Sequence, residues 1–318
     1  MPKHQMKGGR KMKIFKNRGD IYIPKGNYKK SREETILKLL LVFIIIFTIV
    51  FLVLLGHKYK NAASFFGDGE VTTTQIVINE EELPKISGKT NFMFLETDDE
   101  KSVIHYIILI QADKDSKAYK VCSLSPQTKI DNESISEIYE NGGGASLQTK
   151  LTEYFGFEIN YFAEFDNSSF VEFGSKMGDI IYNSYEDIKF SGGSGDDKYT
   201  IRISEGEQNI NSKELSNLLR YYSNEKKDYG IENEVILSAL TQLFNEDNFE
   251  DSESLFRLFI KSSTNNITVR DFENAKNALM YFCYKNEDIT VYSVQSKYDK
   301  KNVLTQQSVK EIKGYFSK

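Results

Sequence analysis

NFMFLETDDEKSVIHYIILIQADKDSKAYKVCSLSPQT, residues 91–128, is the stretch that decides the fold. Residues 91–95 make a short apolar strand that runs into an acidic loop at 96–101. VIHYIILIQ, residues 103–111, is a nearly continuous apolar run, the pattern of a strand buried on both faces. A polar turn at 112–117 leads to a third strand at 118–124, which ends at SPQT. Strands joined by tight turns pair as hairpins, so strands one and three run the same way and their ends converge.

Working outward, helices and strands interleave. A short helix at 134–139, a glycine loop at 142–144 and a helix at 146–155 follow; Leu147, Leu151, Tyr154 and Phe155 share one stripe of the second helix, and Gly156 closes it. A strand at 160–166, a helix at 168–177 and a short strand at 179–182 come next. The loop SGGSGDD precedes a strand at 199–203, and a helix at 211–222 turns Leu215, Leu218, Leu219 and Tyr222 inward. Helices at 230–244, 252–261 and 269–283, the last entered through Thr268, lead to a final strand at 289–294. No repeat is present. This pattern predicts an α/β domain, a three-layer α-β-α arrangement around a central mixed sheet.

Upstream, residues 36–55 are apolar apart from Lys38 and Thr48 and are long enough for one membrane-spanning helix, about 30 Å at helical rise. Residues 1–38 carry twelve Lys and Arg against three acids, whereas the rest of the chain is net acidic. That asymmetry predicts a cytoplasmic N-terminus, a single pass through the cell membrane and an extracytoplasmic C-terminal domain. A cleaved signal peptide has a shorter apolar core behind a shorter basic head. The expected layout is a basic tail at 1–35, a transmembrane helix at 36–56, a connector at 57–89 with a strand candidate at 73–79, the folded domain at 90–296, and a polar tail at 297–318.

The acidic exterior excludes nucleic acid as a natural partner, since phosphate backbones demand a basic face. Cys122 and Cys283 are too few for a disulfide scaffold and sit in apolar contexts, as buried thiols do. His4, His57 and His105 give no metal-site spacing with them. His105, inside an apolar strand, reads as a satisfied core histidine.

The order of these strings resembles the LytR-CpsA-Psr family of bacterial cell-envelope proteins. IYENGGG, a helix, YFGFEINYFAEFD and FVEFGSKMGDI follow one another over residues 138–180; GEQNINSKELSNLLRY at 206–221 and STNNITVRDFENAKN at 263–277 extend the match. The resemblance implies transfer of a glycopolymer from a polyprenyl pyrophosphate carrier to peptidoglycan, an apolar tunnel for the lipid, and a Mg2+ ion held by carboxylates among arginines. It implies a metal role for Asp98 and a catalytic, phosphate-binding role for Arg220, with Thr128 and Lys129 as further phosphate or lipid contacts. The family's Gly-Thr-Asp appears as Glu96, Thr97, Asp98, and its Arg-Ser-Asp-Thr as Val103, Ile104, His105, Tyr106. Its Ser-Ile-Pro-Arg-Asp-Thr becomes Ser123, Leu124, Ser125, Pro126, Gln127, Thr128, and IENEV at 231–235 carries no arginine.

From the residues alone, Asp98 stands either as a metal ligand or as the cap of its own turn, and Arg220 either as a site residue or as a surface partner of Glu225. Loop 141–145 offers backbone N–H groups to an anion or serves only its turn. Three functions follow as expectations: a divergent phosphotransferase, a non-catalytic polyprenyl-phosphate-binding or regulatory protein, and a structural envelope protein whose tunnel is filled by aromatic side chains.

Overall fold

The structure, a computed structural model, describes residues 83–317. The apolar run at 36–55, the basic tail and the strand candidate at 73–79 lie outside these residues; none of the described helices is long and apolar enough to cross a membrane.

Three strands found in sequence form the centre: β1 (Lys89–Thr97), β2 (Ile104–Asp113) and β3 (Ala118–Leu124). They pair antiparallel in order, and the C-terminal ends of β1 and β3 lie at one edge as expected. The β2–β3 turn forms because the Asp113 carboxylate accepts from the backbone N–H groups of Asp115 and Ser116, both at 3.1 Å. Two short strands, β4 (Lys129–Ile130) and β5 (Glu133–Ser134), then lead to α1 (Ile135–Phe155). Ser134 caps α1 in a reciprocal box with Glu137. The glycine loop expected inside this region shrinks to one residue: Gly143, at φ 65° and ψ −169°, breaks an otherwise continuous helix.

β6 (Tyr161–Asp166) returns parallel to β1, and α2 (Asn167–Met177) follows it directly. Two hairpin-like pairs come next. β7 (Ile180–Ser184) pairs with β10 (Gly206–Ile210), and β8 (Ile188–Gly192) pairs with β9 (Tyr199–Ile203). Sequence patterning missed β8 and β10, since five-residue strands rich in Gly, Ser and Asn resemble loop. The chain continues through α3 (Ser212–Arg220), a π-helical turn over Tyr221–Lys226, α4 (Tyr229–Leu243), α5 (Glu246–Glu250) and α6 (Ser252–Ser262). β11 (Thr264–Asn265), α7 (Val269–Tyr284), β12 (Thr290–Ser293) and α8 (Gln306–Phe316) complete it.

The main sheet is mixed and six-stranded, in the order β11-β6-β1-β2-β3-β12. On one face Met93, Leu95, Ile107, Leu109 and Leu124 pack against Ile138, Leu147, Leu151 and Phe155 of α1 and Ile312 and Phe316 of α8. On the other, Tyr106, Ile108 and Val121 pack against Leu215, Leu218 and Leu219 of α3, Val235 and Ile236 of α4 and Phe282 of α7. The three-layer expectation is met in this part of the chain. Residues 297–318, expected as a polar tail, instead contain α8: Val309, Ile312 and Phe316 recur at helical spacing, and Ile312 and Phe316 are fully buried. Gln111 on β2 donates to the Phe316 carbonyl at 2.7 Å and so ties that helix to the central strands.

Candidate functional site

The site lies where β1 and β6 end and β2 begins. Glu96 pairs with Tyr106 and Thr97 with Ile104, so His105 is an extra residue in β2, a bulge. The bulge turns His105 to the same side as Tyr106, and both reach Glu96, which is wholly buried. Glu96 Oε1 lies 3.0 Å from His105 Nδ1 and accepts from Asn167 Nδ2 and Ser216 Oγ, each at 2.9 Å. Its Oε2 accepts from the Tyr106 hydroxyl at 2.8 Å. Burial, with this carboxylate beside it, pushes the Tyr106 phenol well above its ordinary range, so it stays a donor. Every lone-pair direction used on Glu96 is thus met from three different elements, which is what a buried carboxylate requires.

The network continues outward. His105 Nε2 is 3.0 Å from Asp197 Oδ1, and the other Asp197 oxygen pairs with Arg220 Nη2, which also donates to the Asp197 carbonyl at 2.9 Å. A neutral imidazole has one N–H, so the tautomer sets which of the two carboxylates that N–H reaches. Arg220 is nearly buried, and its guanidinium carbon lies over the Tyr199 ring, 4.2 Å from the centroid. Burial raises the Tyr199 phenol to about 12. Asn224, from the π-helical turn, donates to the His105 carbonyl at 2.5 Å and fixes the bulge from behind. Arg220 is therefore no surface partner of Glu225; it is built into the end of α3 and closed over by the segment between β8 and β9.

That segment owes its shape to glycine. Gly193 sits at φ +74°, and a Cβ there would come 2.0 Å from the Asp197 carbonyl oxygen and 3.2 Å from Arg220 Nη2. Only glycine lets the short 3₁₀ turn Gly195–Asp197 fold back and deliver its last side chain to the arginine.

The other residues expected at a site are placed differently. Asp98 clamps its own loop: Oδ1 accepts from the Ser102 and Val103 N–H groups at 2.6 and 2.9 Å, and Oδ2 from the Ser102 hydroxyl at 2.6 Å. Burial works to raise its pKa, but these bonds outweigh it and hold the carboxyl below its ordinary value. Thr128 is buried in the turn after β3, its hydroxyl donating to the Ser125 carbonyl at 2.6 Å and lying 3.0 Å from Tyr298 Oη. Lys129 is exposed, and Lys226 pairs with Glu186 at 2.9 Å. Of the residues singled out in sequence, the structure joins Arg220 and His105; Asp98, Thr128 and Lys129 lie apart from the chain of contacts that links those two.

A magnesium ion demands near-octahedral oxygen ligands at about 2.0–2.1 Å. Both oxygens of Asp98 and both of Glu96 are already taken by N–H and O–H donors, and a histidine stands in β2 where the resemblance implies the second metal carboxylate. Among the described residues no group of three or more His, Cys, Asp or Glu is arranged to hold a metal. The donor set does not fit the ion.

The model of the LytR_cpsA_psr family matches residues 71–314, most of the chain. The protein belongs to the LytR-CpsA-Psr family. Solved structures with this fold include a protein of Eubacterium siraeum, 18% identical, with TM-score 0.65 over 78% of this chain and 98% of that one. TagV of B. subtilis is 14% identical, with TM-score 0.56 over 73% and 97%. TagT bound to LI-WTA is 13% identical, with TM-score 0.53 over 76% and 94%. No curated protein matches the sequence. Within the family fold, the residues that sequence reasoning missed are Glu96 as the hub, with Asn167, Asp197, Tyr199, Ser216 and Asn224. Its signal was available: Glu replaces the family's glycine on β1 while His replaces a carboxylate on β2, and strands one and two are neighbours.

Proposed function

We propose that this protein serves cell-envelope glycopolymer assembly by binding the phosphate end of a polyprenyl-linked glycopolymer, without the metal-assisted transfer that the family resemblance implies. One observation carries this reading. Arg220 is retained, buried and placed over Tyr199, whereas three carboxylates that could have held a metal are engaged: Asp98 by its own loop, Glu96 by its donors, and Asp197 by Arg220 and His105. Phosphoryl transfer depends on fixed positive charge and metal at the developing charge, and each lost donor costs about 10²–10³ in rate. Membership of the family and TagT bound to LI-WTA support a wall-teichoic-acid-like ligand class. The apolar run at 36–55 with its basic tail supports a cell-membrane anchor and an extracytoplasmic domain.

A second reading, a structural envelope protein, is favoured by the aromatic filling of the layer between sheet and helices. Phe94, Tyr106, Phe165 and Phe170 lie ring to ring with centroids 5.5–6.4 Å apart. Two depressions among the described residues, of about 440 and 260 Å³, are open to solvent and touch none of these rings.

The test is native mass spectrometry of the detergent-extracted full chain, with Arg220→Ala beside it, followed by a glycopolymer transfer assay with magnesium. The expected result is co-purified polyprenyl phosphate that the variant loses, and no turnover. Magnesium-dependent turnover abolished by Asp98→Ala would restore the transferase. Lipid in neither sample would select the structural reading.

A further inference from the structure

We propose that Asp197 is a built-in anion occupying a seat for a phosphate group, so that a diphosphate-bearing ligand binds by exchanging with it. The proposal rests on the reading that Arg220 is this protein's phosphate ligand.

The seat is formed by two groups that converge on one carboxylate and a third that supports one of them. Arg220 Nη2 meets Asp197 Oδ2, His105 Nε2 lies 3.0 Å from Oδ1, and Tyr199 backs the guanidinium. A carboxylate and one face of a phosphate present the same pair of acceptor oxygens, and a guanidinium with a ring N–H beside it recognises either. The occupant differs from its seat in one respect. His105 and Arg220 are almost fully buried, but the Asp197 side chain keeps 31% of its surface exposed. The anion thus stands at the mouth of the seat, on the side from which a ligand would enter, and its neighbour Asp196 is exposed.

The segment that carries it is made for this approach. Three residues separate Gly193 from Asp197, and the backbone turns back only because Gly193 has no Cβ to strike the Asp197 carbonyl. None of the hydrogen bonds that hold Asp197 comes from β8 or β9; apart from its own N–H to the Ser194 carbonyl, they run to the seat. Exchange therefore breaks one local turn and leaves the sheet intact. Glu96 stays behind on the other nitrogen of His105 and keeps the ring oriented when Asp197 leaves. His105 becomes a ligand of the incoming phosphate, a role that its place in an apolar strand concealed.

The experiment is calorimetric titration of the full chain in detergent with inorganic pyrophosphate. Asp197→Asn removes the competing charge and keeps the shape; it is expected to bind at least about tenfold more tightly than the wild type, and Arg220→Ala, alone or combined with Asp197→Asn, to abolish binding. Equal or weaker binding by Asp197→Asn with an unchanged melting transition overturns the proposal, as does binding that survives Arg220→Ala. A second measurement needs no variant. Hydrogen exchange at residues 193–198 of the wild type is expected to speed up when pyrophosphate is bound, and unchanged or slower exchange overturns the exchange of anions. The two readings part cleanly. Tighter pyrophosphate binding by Asp197→Asn in a protein that co-purifies with no polyprenyl lipid keeps the seat and removes the lipid function; co-purified lipid with no effect of Asp197→Asn does the reverse.

Discussion

Glu232→Gln should make the protein's stability less dependent on pH. Glu232, on α4, is wholly buried, and neither carboxyl oxygen has a hydrogen-bond partner among the described residues. Burial raises its pKa well above 4.5; Ser123, facing it from β3, opposes part of that rise. The titratable groups near it are Tyr106, Tyr229 and Cys122, all raised by burial and neutral in the acidic to neutral range. In the folded chain this carboxyl keeps its proton above pH 4.5, whereas in the unfolded chain it loses it there. The folded state then binds more protons, and stability falls as pH rises from 4.5, by at most about 1.4 kcal/mol per pH unit.

Glutamine has the same shape and no titration. Its amide brings N–H donors into a site with few acceptors, a cost of about 1–3 kcal/mol, so the variant starts below the wild type at pH 4.5. It should then gain on the wild type by up to about 2 kcal/mol between pH 4.5 and 6.0, or roughly 4–8 °C in melting temperature for a domain of this size. Urea unfolding at half-unit pH steps measures the gap. A gap that stays constant over this range would refute a neutral carboxyl at position 232, whatever the offset.

Other outcomes follow from other contacts. Asp113 is held at about 2: burial acts to raise it, but the bond from Lys120 at 2.9 Å and those from Ser116 prevail, so about 2 kcal/mol of stability, present above pH 4, should disappear between pH 4 and 2 and be missing from Asp113→Asn in acid-unfolding curves. Gly144→Ala places a methyl 2.8 Å from the Phe162 ring and should cost about 1–3 kcal/mol in thermal melts. Asp98→Ala removes the three bonds that close loop 98–103 and should cost about 1–3 kcal/mol equally with and without magnesium; a melting temperature that magnesium raises only in the wild type would count for a metal at Asp98.

The fold was largely legible because its strands announce themselves. Residues 103–111 are apolar at nearly every position, and the stripe Leu215, Leu218, Leu219, Tyr222 faces the sheet as spacing required. What escaped was short or polar. β8 and β10 owe their existence to partner strands, and α8 sets its four apolar anchors among lysines and glutamines. The site was half legible. Arg220 stood out because GEQNINSKELSNLLRY resembles the family segment that carries a phosphate-binding arginine, but Asp197 looked like one more acid in a glycine loop, and its partner is 23 residues away. Asp98 read two ways in sequence, as a metal ligand or as the cap of its own turn, and its oxygens clamp loop 98–103. Charge pairs between distant segments leave no mark on local pattern.

The contact between Gln111 and Phe316 spans 205 residues. Strands β1 to β3 end at Leu124, whereas α8, which helps to shield one of their faces, begins only at Gln306 and is made later. During that interval Met93, Leu95, Ile107 and Leu109 have only α1 to cover them, and a half-clothed sheet is what invites aggregation and chaperone capture. A sheet closed by so distant a helix matures late, and removing two turns of α8 would take away Ile312 and Phe316 and leave part of that face covered by α1 alone.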